Sequence, residues 1–217
     1  MVLMIVLLTQ NLYHVNVNTK QLISNTAMTE KHHMGYNKEF WDKYANENEA
    51  RYNKEFAKFI RDLATSLRCT SVLEIGCGTG IDLRLFPDTF EIHGIDLNDK
   101  ALAIAKEKKS AGDFKKGTIT DLPFEDSSID FVFTHQLLNY LDDDTVEKGI
   151  SEMYRVARKY IMNCEKFNES EKQIDENHKF RNIEKKWANY KVRIVSNVDM
   201  HEEIEPDKPR FTLLKKI

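Results

Sequence analysis

The chain has 217 residues, of which 41% are hydrophobic and 31% are charged, and its formal net charge is −3. This composition is typical of a soluble globular protein, and the length is enough for one domain with a full core. The charge balance gives no basic excess of the kind that indicates a nucleic-acid partner.

The N-terminal segment opens with an apolar run, MVLMIVLL, that is too short to span a bilayer. It also lacks the positive region and the small-residue cleavage site of a secretory signal, and translation could instead start at Met28 or Met34. We therefore expect residues 1–35 to be a disordered or mis-annotated extension rather than a targeting segment, and residues 36–217 to form the domain.

Helical spacing opens the domain over residues 36–68. The apolar residues at three- and four-residue steps are Phe56, Phe59, Ile60, Leu63 and Leu67. Three aromatic residues of this segment, Trp41, Tyr44 and Tyr52, either cover a pocket as a lid or form the core stripe of the helix, and we favour the core.

Strands and helices then alternate. Strands are predicted at 72–75, 91–96, 114–119, 129–135 and 160–165. Helices are predicted from GIDLRLF (80–86), from NDKALAIAKEKKS (98–110) with Asn98 as N-cap, and over 143–159. The charged stretch 166–177 is expected to be a loop and 178–190 a further helix. Residues 191–201 and 210–217 close the chain as an antiparallel pair of strands.

This alternation predicts an α/β fold, a Rossmann-like doubly wound sheet of seven strands. The sheet is expected to be mostly parallel with an antiparallel C-terminal strand, and to carry helices on both faces. Ligands of such sheets lie beyond the carboxyl ends of the strands, where the strand order reverses.

A glycine turn follows the first strand in the sequence Gly76-Cys77-Gly78-Thr79-Gly80. Such a turn lets a ligand approach the main chain. The third glycine comes one residue earlier than in the dinucleotide fingerprint, which makes a pyrophosphate-binding turn and a nicotinamide-dependent oxidoreductase less favoured. Asp96 ends the second strand, where a carboxylate can accept hydrogen bonds from both hydroxyls of a ribose.

Three segments, VLEIGCGTG, IHGIDLN and TDLPFEDSSIDFVF, closely resemble the class I methyltransferases that use S-adenosylmethionine (SAM), in particular the methyltransferase type 11-like members. The similarity covers residues 36–217 in element order and is strongest over 71–141. Within that family the chain is most similar to the small methylases associated with pseudaminic-acid biosynthesis. The features that carry this closer match are EFWDKYANENEARYN, FVFTHQLLNYL and the strand ending in Glu165.

The resemblance implies a set of cofactor-binding residues. Gly76 to Gly80, including Cys77 and Thr79, match the turn beside the methionine part of SAM, and Glu74 matches the acid that organises that turn. Asp96 matches the ribose ligand. The remaining matches are Leu97, which packs on adenine, Thr118 and Ile119 at the adenine edge, and His135 near the sulfonium and the acceptor. Many relatives carry Asp in place of Thr118.

Catalytic residues are less clearly marked by the sequence. His135 and Glu165 are the candidates, since each ends a strand at the carboxyl edge of the sheet, the rim where a ligand is expected to bind. His135 could act as a base, or it could be a structural histidine whose ring nitrogens are hydrogen-bonded within the fold. Glu165 could bind a substrate hydroxyl or amine, or be a solvated loop acid. Asn139 and Tyr140 either line the acceptor pocket or cap the next helix, and Trp187 is expected to be a packing residue.

The glycines could also serve only tight strand–helix packing, and Asp96 could only cap the following helix. The leading hypothesis is a SAM-dependent methyltransferase acting on a small polar metabolite, with a sugar or nucleotide-sugar as the acceptor class implied by the resemblance. A SAM-binding module of the same fold without turnover is the alternative. We expect a small-molecule substrate, no nucleic-acid or membrane partner, and a monomer or homodimer.

Cysteine usage and metal-ligand spacing add two further expectations. The cysteines Cys69, Cys77 and Cys164 are odd in number and lack metal-ligand spacing, so they indicate reduced thiols in a cytoplasmic protein. No ligand cluster of the kind that cation-dependent O-methyltransferases use is present in the sequence, and we predict no metal.

Overall fold

The structure is a computed structural model that describes residues 36–47, 50 and 52–217. The predicted extension 1–35 lies outside the described residues, and the expectation about it stays a prediction. The described helices are α1 (Lys38–Glu47), α2 (Lys54–Ser66), α3 (Asp99–Lys108), α4 (Asp143–Val156) and α5 (Ile183–Lys186).

Nine strands are described. They are β1 (Ser71–Ile75), β2 (Glu91–Asp96), β3 (Asp113–Lys116), β4 (Ile129–His135), β5 (Ala157–Glu165), β6 (Lys172–Asp175), β7 (His178–Phe180), β8 (Val192–Asp199) and β9 (Arg210–Lys216). Seven of them form one sheet in the order β3-β2-β1-β4-β5-β9-β8. The first five are parallel, and β9 runs antiparallel to both β5 and β8. The predicted fold class is confirmed.

Alternate residues of the central strands pack on opposite faces of this sheet. On one face Phe131 and Phe133 of β4 pack with Phe56 of α2. On the other face Val132 of β4 packs with residues of α4 and with Trp187. Each face of β4 is therefore apolar and covered, as expected for a parallel strand at the centre of a doubly wound sheet. The packing role predicted for Trp187 is confirmed.

The helical region predicted over 36–68 is formed by two helices, α1 and α2. Asn53 starts the second one, since its side chain accepts hydrogen bonds from the amides of Glu55 and Phe56. The core role favoured for the aromatic residues of α1 is wrong. Tyr44 is exposed, and within α1 Ala45 alone is buried.

The helix predicted from GIDLRLF is wrong too. This segment forms only a 3-10 turn, Ile81–Leu83, after Gly80 in the left-handed conformation with φ +68°. Helix α2 packs against the turn, and Asp82 and Leu83 are both buried. With α2 covering this face of the sheet, the chain crosses to β2 without an α-helix of its own.

The C-terminal third also departs from the prediction. The loop expected over 166–177 contains β6, and β6 pairs with β7 as a separate hairpin. The helix expected over 178–190 shrinks to α5 and a 3-10 turn, Trp187–Asn189. The first residues of the predicted helix pair with β6 as β7 instead. Arg181 follows β7, and its buried side chain donates a hydrogen bond of 2.9 Å from Nε to the carbonyl oxygen of Leu138.

Candidate cofactor-binding site

The glycine turn lies beyond the carboxyl end of β1, next to the point where the strand order reverses between β1 and β4. Gly76, Gly78 and Gly80 have φ values of +75°, +50° and +68°, a region that side chains make costly. A Cβ at Gly76 would lie 2.8 Å from Leu137, and one at Gly80 would lie 3.1 Å from Ala105. Packing therefore accounts for part of the glycine requirement.

Asp96 joins this turn to the end of β2. Its carboxylate accepts hydrogen bonds of 2.8 Å from the backbone amides of Gly78 and Asn98. Burial raises the pKa of the carboxyl group, although these amides act in the opposite direction. The side-chain cap of α3 is Asn98, as predicted, with bonds to the amides of Lys100 and Ala101. The N-cap of α3 is therefore Asn98 and not Asp96. Leu97 follows it and is half-buried.

Glu74, the acid predicted to organise the turn, is 3% exposed, and its Oε2 atom has no hydrogen-bond partner among the described residues. Burial raises the pKa of this carboxyl group well above its ordinary value, followed by the charge of Asp82, a side-chain hydrogen bond to Asp82 and the charge of Asp96. A buried carboxylate oxygen without a partner is costly. The Glu74 carboxyl group is therefore suited to a cationic partner.

His135, at the end of β4, contacts two carboxylates that the sequence analysis missed. Its Nδ1 atom lies 2.8 Å from Oδ2 of Asp82, and its Nε2 atom lies 3.7 Å from Oε2 of Glu205. The ring stacks on Phe56 at 3.9 Å between centroids. Burial lowers the pKa of His135, but the charge and hydrogen bond of Asp82 outweigh it, so the pKa is raised.

The two missed acids come from segments that the sequence did not place near the site. Asp82 lay in a predicted helix. The one feature that could have marked it as a site residue is that it is the single acid among the apolar residues of GIDLRLF. Glu205 lies in the connection between β8 and β9, and Asn53 donates a hydrogen bond of 2.9 Å to it. Only the tertiary fold brings this distant residue to the rim.

Glu165 is 2% exposed, so its interpretation as a solvated loop acid is wrong. The carboxylate accepts hydrogen bonds from the Thr134 hydroxyl (2.8 Å) and from the amides of Leu137 (3.3 Å) and Leu138 (3.1 Å). Burial, partly offset by these bonds, raises its pKa to about 7. In this structure Glu165 fixes the turn that follows β4, and its catalytic role stays a prediction.

Thr118 and Ile119 follow β3. The hydroxyl of Thr118 lies 3.1 Å from that of Thr120, and Thr118 pairs with Asp121 across a tight turn. Ile119 is 5% exposed and belongs to the core cluster that includes α4. Their contact with adenine stays a prediction.

Beyond β4 the turn Leu138–Tyr140 is bound to the β6–β7 hairpin. Asn139 is buried and donates hydrogen bonds to the carbonyl oxygens of Lys166 (3.0 Å) and Lys179 (2.8 Å). Helix α4 is capped by Asp142, so the capping role considered for Asn139 and Tyr140 is wrong. This turn is therefore firmly held at the rim of the site.

Aromatic rings surround Tyr140 at the same rim. The ring of His178 stacks on it at 4.7 Å, and that of Trp41 meets it edge-on at 5.5 Å. Next to them a groove of about 540 Å³ separates α1 from the tip of the hairpin. Its lining residues are Tyr36, Asn37, Glu39, Phe40, Lys43, Glu176 and Asn177.

Two classes of site are not found in the part of the chain that the structure describes. No group of three or more His, Cys, Asp or Glu residues there could hold a metal ion. None of the helices described is long and apolar enough to cross a membrane. Cys69, Cys77 and Cys164 are all buried free thiols.

Residues 72–160 match the family model of a methyltransferase domain. The matched segment contains the glycine turn and the ends of β2 and β4. Curated relatives include a malonyl-[acyl-carrier protein] O-methyltransferase of Pectobacterium atrosepticum, 31% identical over 40% of this chain and 34% of that protein. Another is phosphoethanolamine N-methyltransferase 2 of Caenorhabditis elegans, 36% identical over 41% of this chain and 21% of that protein. The chain spans less than half the length of these relatives.

Solved structures share the fold over more of the chain. Phosphoethanolamine N-methyltransferase 1 of Haemonchus contortus, in complex with phosphoethanolamine and S-adenosylhomocysteine, has a TM-score of 0.66 at 20% identity, covering 83% of this chain and 48% of that one. A SAM-dependent methyltransferase of Clostridium acetobutylicum has a TM-score of 0.62 at 17% identity, covering 82% and 99%. At these identities the likeness concerns the fold.

Proposed function

We propose that the protein is a SAM-dependent methyltransferase that acts on a small polar metabolite. The observation that carries this proposal is the glycine turn at the switch point of the sheet, bonded to Asp96 through the amide of Gly78. The turn offers close approach to the main chain, and Asp96 offers a carboxylate at the end of the neighbouring strand. The methyltransferase-domain match over 72–160 includes both.

The residues present fit SAM. Its ammonium and sulfonium are cations, and Glu74 beside the turn has a buried oxygen without a partner among the described residues. Asp96 retains acceptor capacity for ribose hydroxyls beyond its two amide bonds. When bound, SAM supplies an activated methyl group with a good leaving group.

The protein's own contribution is then mainly to position the acceptor and to exclude water. A neutral histidine would be needed for proton abstraction at this site. The raised pKa of His135 and the carboxylates near both of its ring nitrogens favour the protonated form instead. We therefore assign His135 a role in binding and charge balance, in place of the base considered from the sequence.

For the acceptor we propose a sugar or nucleotide-sugar, as in the pseudaminic-acid-associated methylases that the sequence resembles. The open groove between α1 and the tip of the β6–β7 hairpin is the candidate position for this acceptor, since it adjoins the aromatic rings around Tyr140. Its lining combines the stacked rings of Tyr36 and Phe40 with carboxylates and amides. The named relatives methylate different acceptors, so they leave the acceptor class open.

The direct test is incubation of the protein with methyl-labelled SAM and a metabolite pool, followed by mass spectrometry. We expect label in one class of small molecule, with release of S-adenosylhomocysteine that depends on the added pool. Binding of SAM without transfer to any fraction would instead support the non-catalytic binding module. The buried free thiols are in keeping with a cytoplasmic location, which stays a prediction together with the oligomeric state.

A further inference from the structure

Asp82 lies in the 3-10 turn directly after the glycine turn and is 2% exposed. Its Oδ2 atom lies 2.8 Å from Nδ1 of His135. Its Oδ1 atom is buried and has no hydrogen-bond partner in the described part of the chain. One oxygen of this carboxylate is therefore paired with His135. The other faces no cation among the described residues, and the remaining neighbour of Asp82 is the carboxyl group of Glu74, which shares a side-chain hydrogen bond with it when protonated.

The surroundings of Asp82 are rich in carboxyl groups. Glu74 of β1 has an unpartnered buried oxygen of its own. Glu205, from the connection between β8 and β9, faces the other side of the His135 ring, and Glu165 of β5 also acts on this histidine. Helix α2 contributes the apolar ring of Phe56. Burial and the charge of Asp82 raise the pKa of Glu74 and favour its protonated form, so a cationic ligand between Glu74 and Asp82 would take the place of that proton.

We propose that Asp82 is a two-sided carboxylate, which holds His135 as an imidazolium through Oδ2 and receives the ammonium group of the methionine part of SAM through Oδ1, together with Glu74. The ligand half of this inference rests on the proposed function, whereas the Asp82–His135 half does not. A charged hydrogen bond of this kind is short and strong in a site shielded from water. Asp82 is thereby a positioning residue for His135 and a binding residue for the cofactor.

Ligands that differ only in the amino-acid part separate this role from a general effect on the site. S-adenosylhomocysteine carries the ammonium group, whereas 5′-methylthioadenosine has the same nucleoside and a thioether without the amino acid. The variant is Asp82→Asn. The matched control is Asp88→Asn, which changes an exposed acid in the same connection, paired with Lys109.

Calorimetry should show that Asp82→Asn weakens binding of SAM and S-adenosylhomocysteine by about tenfold or more. Binding of 5′-methylthioadenosine should stay within about twofold, and Asp88→Asn should bind all three like the wild type. Equal loss for 5′-methylthioadenosine, or unchanged binding of S-adenosylhomocysteine, would overturn the ligand half. If the wild type bound none of the three, the proposed function would fail and the ligand half with it.

The histidine half has its own readout in the ligand-free protein. The His135 imidazole signals are assigned by their loss in His135→Gln, and the pKa is followed by NMR titration. Asp82→Asn should lower the pKa of His135 measurably, whereas Asp88→Asn should leave it in place. An unchanged value in a folded Asp82→Asn variant, with foldedness checked by its melting temperature, would show that Asp82 does not hold the imidazolium.

Discussion

The carboxylate of Asp96 and the backbone amide of Gly78 are joined by a hydrogen bond of 2.8 Å. This bond closes the glycine turn onto the end of the neighbouring strand β2. The second oxygen of Asp96 accepts the amide of Asn98, so one side chain connects the turn with the start of α3. The turn and the acid therefore form one unit at the edge of the sheet where ligands of such folds bind.

Asp96→Ala should weaken SAM binding by about 1–3 kcal/mol, because charged hydrogen bonds to the ligand and the support of the turn are both lost. Calorimetry with S-adenosylhomocysteine measures the change. Asp99→Ala is the control, since Asp99 is exposed and pairs with Lys116. Wild-type affinity in Asp96→Ala would remove this acid from the site.

Gly78→Val should abolish cofactor binding while leaving most of the fold in place. The new side chain would project from a turn that the ligand approaches, and the φ of +50° at this position adds a strain of about 1–2 kcal/mol. Gly78→Ala carries the same strain with a smaller side chain and should lose less affinity. Calorimetry and melting temperature separate the two effects. Undisturbed binding in Gly78→Val would contradict the placement of the cofactor against the turn.

The sheet could be predicted from sequence because its strands carry a local signal. The apolar runs of β1, β2, β4 and β5 are bounded by turn residues, and buried parallel strands have this pattern. The start of α3 at the N-cap Asn98 could also be predicted from neighbouring residues in the sequence. The elements that were wrong depend on distant contacts. The 3-10 turn after Gly80 forms beneath α2, and the β6–β7 hairpin is fixed by contacts of Asn139 and Arg181 with residues far along the chain.

The candidate site was predictable to the extent that its residues follow strands directly. Glu74, Asp96 and His135 all lie in or at the end of a parallel strand, so the fold places them at one edge. Asp82 and Glu205 follow no such rule. Asp82 reaches the site because its turn is buried, and Glu205 because the connection after β8 returns to the rim. Neither feature has a periodic pattern in the sequence.

Arg181→Met should destabilise the protein by about 2–4 kcal/mol, because it leaves the buried carbonyl groups of Leu138 and Leu141 without their donor, whereas Asp143 keeps Lys179 as a partner. The guanidinium bonds to the carbonyl oxygens of Leu138 and Leu141 and to Asp143. Urea unfolding measures the loss. Lys185→Met, at a side chain that is 66% exposed, is the matched control and should change stability by less than about 0.5 kcal/mol. Similar stability of the two variants would show that Arg181 is not a structural anchor.

Asp130 should make unfolding pH-dependent in the acid range. Burial alone would raise its pKa, but hydrogen bonds from Arg158, Thr70 and Lys159 outweigh this and lower it to about 2. Because the pKa is below the unfolded value, the stabilisation is present above about pH 4 and is lost as the pH falls through about 2.

Since the two cationic partners of Asp130 are half-exposed, we expect this contribution to be about 1 kcal/mol after solvent screening. Urea unfolding of wild type and Asp130→Asn at several pH values between 5 and 2, about the range of acid unfolding, gives the difference. The stability gap between the two proteins should narrow as the pH falls. A gap that stays constant over this range would show that the ionised form of Asp130 is not what stabilises the fold.

A crystal structure of the protein grown with S-adenosylhomocysteine tests the central claim most directly. The nucleoside should lie against the turn Gly76–Gly80 with its ribose at Asp96 and its amino group at Glu74 and Asp82. A ligand bound elsewhere, or none at saturating concentration, would contradict the proposed methyltransferase site.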